Sequence, residues 1–285
     1  PRPPKPLHPA TCVLQSPSSG ANVIGYQRAP FAFSRSSINT SYPAEWKRYY
    51  MDYFTIRLAT HDDLLQIRTW LEQEHNDGVD GSFFCNYNLI EDGQQSGSLT
   101  ALVRDSDALP VAFCLGDNNI DILAVKADCR GQGLGRRLAQ NFIDAARKRD
   151  VIGLYGECAP QTSKPFWESM GYASVPSPYG GDNPNWVALP LPHENDLPDG
   201  SSYTIAIALE DNEYQIQPLF ECDAVCVDGR YMLARYFVQY VPDPNRQLEI
   251  RCNGDPMFSN KNKYVSEAGG ERNSPWVRVR ELDTI

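Results

Sequence analysis

Histidine is scarce in this sequence, and its cysteines lack the spacing of a metal site. The 285 residues include 4 histidines and 8 cysteines, and no pair of cysteines follows the C-x-x-C pattern. Structural zinc sites need such closely spaced cysteine and histidine ligands, so we expect no bound metal. Cys222 and Cys226 form the closest pair, and we interpret both as strand residues with reduced thiols.

The sequence also has fewer basic than acidic residues and only short apolar runs. Lysine and arginine number 26 against 36 aspartates and glutamates, which gives a net charge of −10. Nucleic-acid binding needs clustered basic side chains, so we expect no nucleic-acid partner. No apolar run approaches the roughly 20 residues that cross a bilayer, and no secretory leader opens the sequence. We therefore expect a cytoplasmic protein without a membrane partner.

Composition divides the chain into three parts. Residues 1–50 are rich in proline, serine and asparagine without apolar periodicity, which predicts an irregular N-terminal extension. Residues 51–192 alternate helix and strand patterns, whereas residues 201–285 show strand patterns alone. The predicted fold class is therefore α+β, with a mixed, mostly antiparallel sheet flanked by helices and a second, all-β domain at the C-terminus.

Local signals predict the elements of these two domains. Thr60 and Asp63 form a variant capping box before a helix that ends at residues 76–78, and residues 78–97 are interpreted as loop-rich. Further helices are predicted at about 133–149 and 165–170. Strand patterns lie at residues 54–58, 98–103, 110–115, 120–125, 152–156, 186–189, 203–209, 214–216, 231–241, 247–251 and 276–280, with a hairpin predicted between the second and third.

The most informative segment is a glycine-rich junction between a strand and a helix, Arg130-Gly131-Gln132-Gly133-Leu134-Gly135. The first N–H groups of a helix lack helical acceptors, and the helix dipole adds positive charge at that end. Glycines allow the backbone to approach a diphosphate closely. Arg130 and Arg136 can add charge-assisted hydrogen bonds. The junction therefore predicts a diphosphate-binding loop.

Two other phosphate-binding signatures fit this junction less well. A Rossmann fingerprint requires a third glycine where Arg136 stands, and a P-loop requires a Lys-Ser or Lys-Thr pair that the junction lacks. A nucleotide-binding oxidoreductase stays open as a third hypothesis. It would bind NAD and not coenzyme A.

The spacing Arg130-x-x-Gly133-x-Gly135 resembles the acyl-CoA signature of the GNAT superfamily of acyl-CoA N-acyltransferases. The strand before it and the aromatic segment 164–172 resemble further GNAT motifs, in matching order over about residues 52–190. The resemblance implies a GNAT-type fold that binds acetyl-CoA, as co-substrate, between two diverging strands. The cofactor-binding residues that it implies are Leu123, Ala124, Val125, Arg130, Gly131, Gln132, Gly133, Leu134, Gly135, Arg136 and Phe166.

The resemblance also implies a function, namely transfer of an acetyl group from acetyl-CoA to an amine of a small molecule or a protein. The main-chain N–H of Val125 would donate a hydrogen bond to the thioester carbonyl. Aromatic and acidic side chains in residues 78–97 and 174–186 would receive a cationic amine. These side chains belong to Phe83, Phe84, Tyr87, Tyr179, Asp182 and Trp186.

At the positions expected to hold the general base and the general acid, this sequence departs from the family pattern. Some members carry a glutamate where this chain has Asn119, so we assign the base to Asp121, two residues on. Many members carry a tyrosine where this chain has Trp167, which is no proton donor. We assign the acid to Tyr172, with Tyr155 on the preceding strand and solvent as alternatives. Each assignment competes with an ordinary structural role, as a strand-end carboxylate or a core aromatic.

These departures keep a second hypothesis open. The domain could bind acyl-CoA with weak catalysis and recognise a partner through the C-terminal β domain. A homodimer is left open as well. Release of the coenzyme A thiol in the presence of amines separates the enzyme from the binding module.

Overall fold

The structure, a computed structural model, describes residues 53–181, 183–211 and 214–284. The extension predicted at residues 1–50 and the candidate acceptor residue Asp182 lie outside the described residues. Phe54–Ile285 forms one compact unit. It contains helices and antiparallel sheets followed by an all-β part, so the predicted fold class is confirmed.

The first sheet consists of four antiparallel strands in the order β1-β2-β3-β4. The strands are β1 (Phe54–Leu58), β2 (Leu99–Arg104), β3 (Leu109–Leu115) and β4 (Ile122–Val125). The hairpin between β2 and β3 is confirmed, with Leu102 opposite Ala112. At the edge of the sheet, β4 begins two residues later than its sequence pattern predicted.

Helix α1 (His61–Asn76) begins and ends as predicted. The Thr60 hydroxyl accepts the Asp63 N–H while the Asp63 carboxylate accepts the Thr60 N–H, which completes the capping box. Arg57 donates two further hydrogen bonds to Asp63. Burial opposes ionisation of Asp63, but the hydrogen bonds from Arg57 and Thr60 prevail and lower its pKa. Local chemistry alone therefore fixes the start of this helix.

The interpretation of residues 78–97 as loop-rich was wrong for the second part of the segment, which forms helix α2 (Tyr87–Ser96). Tyr87, Ile90 and Gly93 are the buried residues of this helix. A side chain at Gly93 would overlap Leu115 of β3. The helix thus packs closely against a strand distant in sequence, and a ten-residue segment that contains a glycine is a weak helix signal on its own.

The second sheet has three strands in the order β5-β7-β6. They are β5 (Gly153–Glu157), β6 (Ala173–Ser174) and β7 (Trp186–Pro190). Helices α3 (Leu134–Lys148) and α4 (Lys164–Ser169) supply its covering layer on one face, where Ile143 and Trp167 pack with Leu154 and Val187. Tyr155 and Ala188, opposite each other in register, lie on the other face.

The C-terminal part is a seven-stranded antiparallel sheet, in the order β12-β11-β8-β9-β10-β14-β13. Buried Ile207, Phe237, Ile250 and Val279 contribute to its core. A 3-10 helix, Asn262–Ala268, packs beside it. The strands are β8 (Ser202–Glu210), β9 (Ile216–Val227), β10 (Arg230–Tyr240), β11 (Gln247–Cys252), β12 (Asp255–Lys261), β13 (Glu271–Asn273) and β14 (Trp276–Asp283).

Strand β9 is much longer than its sequence pattern predicted. Pro218 argues against a strand, but it lies where the register of β8 and β9 shifts, and proline is tolerated at such bulges. Cys222 and Cys226 lie on β9, so their interpretation as strand residues is confirmed. No helix among the described residues is long and apolar enough to cross a membrane.

The C-terminal sheet packs directly on the second sheet. The Trp276 ring lies so close to Gly153 that a side chain there would overlap it. Buried Arg278 contacts Asp150, at the end of α3, with a nitrogen–oxygen distance of 2.6 Å. The second sheet and the C-terminal sheet therefore bury residues against each other. The predicted limits of the two domains, at residues 192 and 201, stay a prediction.

Candidate functional site

A cavity of about 570 Å³ opens between β4 and β5. The two strands belong to different sheets. They approach each other just before β4, where the side-chain oxygen of Asn119 accepts the main-chain N–H of Tyr155 at 2.9 Å. Beyond that bridge the strands diverge, and the cavity extends from Asp121 to the first turn of α3.

The cavity brings together Asp121 and every predicted cofactor-binding residue except Gln132. Tyr172 does not line it. Several residues that the sequence did not single out line it as well, on the loop after α1, around the start of β4, and from the end of β5 to the segment before α4. They are Asp80, Gly81, Ile120, Ile122, Glu157, Ala159, Pro160 and Thr162.

The glycine loop has the backbone that its sequence predicts. Gly131 and Gly133 have φ angles of 78° and 79°, in the left-handed region that favours glycine. Space is open beside each of them where a side chain would start. Gly133 is the N-cap of α3, so the N–H groups of the following three residues lack helical acceptors. This end of the cavity suits an anion.

The two arginines of the loop bond to protein oxygen atoms. Arg130 donates to the carbonyl oxygens of Val125, at 3.0 Å, and Asp80, at 3.3 Å. Arg136 donates to Ser169 at the end of α4. The expected charge-assisted contacts are thus made within the protein, which leaves the main-chain N–H groups of α3 as the principal donors for an anion.

The backbone of β4 turns alternate peptide groups toward the cavity. The N–H of Lys126 donates to Val111 of β3 at 2.9 Å. Neighbouring residues on a strand direct these groups to opposite sides, so Val125 faces away from β3. Its carbonyl oxygen indeed accepts from Arg130. The Val125 N–H therefore lies on the open edge of β4, beside the cavity that Val125 lines.

Asp121 lies at the opposite end of the cavity from α3. The residue is exposed at the surface, while protein atoms around its carboxyl group bury that group in part. This partial burial, together with the negative charge of nearby Asp117, raises the pKa of Asp121. Asn119 cannot act as a base because its side chain is a neutral amide, and that side chain holds the two strands together.

Tyr172 lies behind Trp167, away from the main cavity. Their rings are 5.2 Å apart, and the Tyr172 hydroxyl is buried without a hydrogen-bond partner among the described atoms. It lines a separate cavity of about 20 Å³, beside Trp167 and Glu157, which is room for one water molecule. Burial, with a smaller contribution from Cys114, raises the pKa of Tyr172.

Glu157 is the functional candidate that the sequence interpretation missed. It lines both cavities, and its Oε1 accepts a hydrogen bond from the side chain of Asn183 at 2.7 Å. The predicted strand stopped at Gly156. Extending the alternation by one residue would have placed Glu157 on the same face as Tyr155.

The predicted acceptor aromatics divide into three groups. Phe83 lines the cavity, whereas Phe84 and Tyr87 pack against the core of the first sheet. Tyr179 and Trp186 lie together beside β5, with ring centres 5.6 Å apart. Among the described acceptor candidates, Phe83 therefore lies at the cavity. Tyr179 and Trp186 lie beside β5, one of the two strands that flank it.

A family model and several solved structures are similar to part of this chain. The family model described as "Acetyltransferase (GNAT) family" matches residues 36–172. Among solved structures, N-acetylglutamate synthase from Neisseria gonorrhoeae, complexed with coenzyme A and N-acetyl-glutamate, is 18% identical with a TM-score of 0.39. The match covers 49% of this chain and 35% of that one, so the chain spans about a third of that enzyme.

Two structures from Escherichia coli are similar to the same half of the chain. The ribosomal-protein-S18-alanine N-acetyltransferase is 22% identical, with a TM-score of 0.38 and coverage of 49% of this chain and 94% of that one. The GNAT family N-acetyltransferase YhbS, in complex with CoA, is 16% identical, with a TM-score of 0.38 and coverage of 48% and 81%. The search of curated proteins found no match. Residues 36–172 therefore contain a GNAT acetyltransferase domain.

Proposed function

We propose that the GNAT domain transfers an acetyl group from acetyl-CoA to an amine of a small molecule or a protein. The proposal rests on one observation: the cavity between β4 and β5 extends from the first turn of α3 to Asp121. Its volume of about 570 Å³ lies in the range of ligand pockets, roughly 300–1,000 Å³. The diphosphate would bind the main-chain N–H groups of α3, and Leu123 and Phe166 would contact the pantetheine arm.

The residues around the cavity divide the chemistry among them. Acetyl-CoA supplies the acetyl group as a thioester. The Val125 N–H would donate a hydrogen bond to the carbonyl oxygen, which gains negative charge as the amine attacks. Asp121 would accept the proton that the amine loses when its nitrogen bonds to the acetyl carbon. The carbon–sulfur bond breaks, and the departing sulfur takes a proton.

Tyr172 is the proposed source of that proton. Its hydroxyl group is protonated at neutral pH, as that of any tyrosine is, and burial raises its pKa further. The cavity beside Trp167 would hold one water molecule between this hydroxyl and the sulfur. Replacement by phenylalanine removes the hydroxyl group and leaves the contact between the Tyr172 and Trp167 rings.

The acceptor is proposed to be a cationic amine. Two carboxylates line the cavity from opposite strands, Asp121 from the segment before β4 and Glu157 from β5. Negative charge attracts an ammonium group, which would lose one proton to solvent before the neutral amine attacks; Asp121 would then take the proton that is lost as the amide forms. A cytoplasmic location stays part of this proposal, on the sequence argument alone.

A weakly catalytic acyl-CoA-binding module remains the second candidate. It is favoured by the side chain of Asn119, which is committed to a structural hydrogen bond, and by the position of Tyr172 behind Trp167. Such a module would bind acetyl-CoA without using an amine.

Thiol release from acetyl-CoA with a panel of primary amines tests the two candidates. The wild-type protein should release thiol above the rate without protein, and Gly133→Glu should abolish release because the new side chain enters the anion-binding end. Gly254→Glu is the matched control, since Gly254 also has a left-handed backbone with open space beside it. Acetyl-CoA binding without release supports the module, and absence of binding contradicts both candidates.

A further inference from the structure

The second sheet turns one face toward the C-terminal sheet. Glu157 lies opposite Trp186 in register, and Tyr155 lies opposite Ala188, so all four side chains share that face. The ring of Tyr240, from β10 of the C-terminal sheet, lies 6.2 Å from the ring of Tyr155. The β5 face that carries Glu157 is therefore in contact with the C-terminal sheet.

Tyr240 joins this face to the loop between β6 and β7, residues 175–185. Its ring packs between Tyr155 and Trp276, and the residue is 8% exposed. Its hydroxyl group donates a hydrogen bond to the carbonyl oxygen of Pro176 at 3.0 Å. A buried tyrosine places its hydroxyl on a specific acceptor, so Tyr240 fixes the start of the loop.

The far end of the same loop contacts the cavity. Asn183 donates to Glu157 at 2.7 Å, and Lys164 of α4 donates to the carbonyl oxygen of Pro184 at 2.9 Å. The exposed ring of Tyr179, between these two ends, lies against Trp186. One loop thus connects Tyr240 with a carboxylate that lines the candidate active site.

We propose that Tyr240 is a positioning residue for the acceptor amine. By holding the loop 175–185, it keeps Asn183 on Glu157 and sets Tyr179 and Trp186 beside that carboxylate. An ammonium group is stabilised by a carboxylate and by aromatic faces together. The inference rests on the proposed function and assigns the C-terminal sheet a part in binding a primary amine carried on an apolar group.

The substitution Tyr240→Phe tests the proposal, because it removes the donor to Pro176 and keeps the ring. We expect faster hydrogen exchange of main-chain amides in residues 175–185. The KM for 2-phenylethylamine should rise about fivefold, the effect of one typical hydrogen bond, while kcat and the KM for acetyl-CoA stay unchanged. Tyr264→Phe, on the 3-10 helix of the C-terminal part, is the matched control and should change none of these quantities.

Hydrogen exchange separates failure of this proposal from failure of the proposed function, since it needs no turnover. In the wild-type protein with coenzyme A, 2-phenylethylamine should slow exchange in residues 175–185. Unchanged exchange in Tyr240→Phe would overturn the proposal, as would a wild-type loop that the amine does not protect. A rise in the KM for acetyl-CoA equal to that for the amine would also overturn it.

Discussion

The GNAT region, Phe54–Pro190, and the C-terminal sheet, Ser202–Asp283, use antiparallel strands in opposite ways. In the GNAT region the strands are divided between two sheets, and the gap between β4 and β5 holds a cavity with main-chain N–H groups at its edge. In the C-terminal part seven strands pair without interruption in one sheet, which packs on a core of buried apolar residues. The candidate catalytic and cofactor-binding residues therefore lie where the strand pairing is interrupted.

The difference also indicates what the C-terminal sheet does for the GNAT region. It contacts that region through the Trp276 ring at Gly153, through Arg278 at Asp150 and through Tyr240 at Pro176. A sheet that is divided at its centre has fewer strand-to-strand hydrogen bonds to hold it. The continuous sheet therefore supports β5 and its neighbours on the face opposite α3 and α4.

The largest expected effect concerns the cavity of the GNAT region, where a substitution should lower kcat while the protein stays folded. Asp121→Asn should lower kcat by about 10²–10⁴-fold, the contribution of a general base. Its pKa is raised in the folded state, so the folded protein binds the proton more tightly than the unfolded chain does. The ionised form thus costs stability above the ordinary pKa of aspartate. Thermal unfolding of Asp121→Asn at neutral pH should show no destabilisation.

The pH dependence of kcat sharpens the assignment of the base. Activity should fall as the pH drops through the raised pKa of Asp121, where the carboxylate gains a proton. Asp117→Asn removes the negative neighbour, so the acid limb should move to lower pH. The acid limb would stay in place if Glu157 were the base. Loss of turnover in Glu157→Gln, with activity kept in Asp121→Asn, would contradict the assignment.

The next largest effect concerns the contact between the two regions. Trp276→Ala should lower the free energy of unfolding by about 3–5 kcal/mol, because the ring is 4% exposed and packs on Gly153. Denaturant unfolding followed by circular dichroism should show one transition that moves to lower denaturant. Tyr214→Ala, at an 85% exposed position, should change the stability by less than about 0.5 kcal/mol. Two separate transitions would contradict mutual support.

A smaller effect is expected from the ion pair that links the regions. Asp150→Asn keeps a residue type that tolerates the left-handed backbone of position 150 and removes the charge beside buried Arg278. The free energy of unfolding should fall by about 1.5–3 kcal/mol. The exposed pair of Arg147 and Asp144 provides the control. Asp144→Asn should cost less than about 0.5 kcal/mol in the same measurement, and equal costs would contradict a special role for Asp150.

Short-range signals made much of the GNAT region predictable. The capping box at Thr60, the β2–β3 hairpin and the glycine junction each lie within a few residues of sequence, and each has a local physical cause. The loop around Gly133 could be associated with phosphate binding because left-handed glycines and the start of a helix are visible in the spacing alone.

What the sequence did not predict depends on contacts between distant residues. Helix α2 depends on the packing of Gly93 against Leu115. Glu157 is a functional candidate only because it lines the same cavity as Asp121, on a different strand. The hydrogen bond from Tyr240 to Pro176 joins residues 64 positions apart, and a tyrosine in a strand pattern carries no sign of such a partner.

Calorimetric titration of acetyl-CoA tests most directly whether the first turn of α3 binds a diphosphate beside the diverging strands. We expect saturable binding to the wild-type protein, competition by coenzyme A, no binding of NAD, and loss of acetyl-CoA binding in Gly133→Glu but not in Gly254→Glu. A wild-type protein that fails to bind acetyl-CoA at millimolar concentration, or a Gly133→Glu variant that binds it equally well, would show that this end of the cavity is not a diphosphate site.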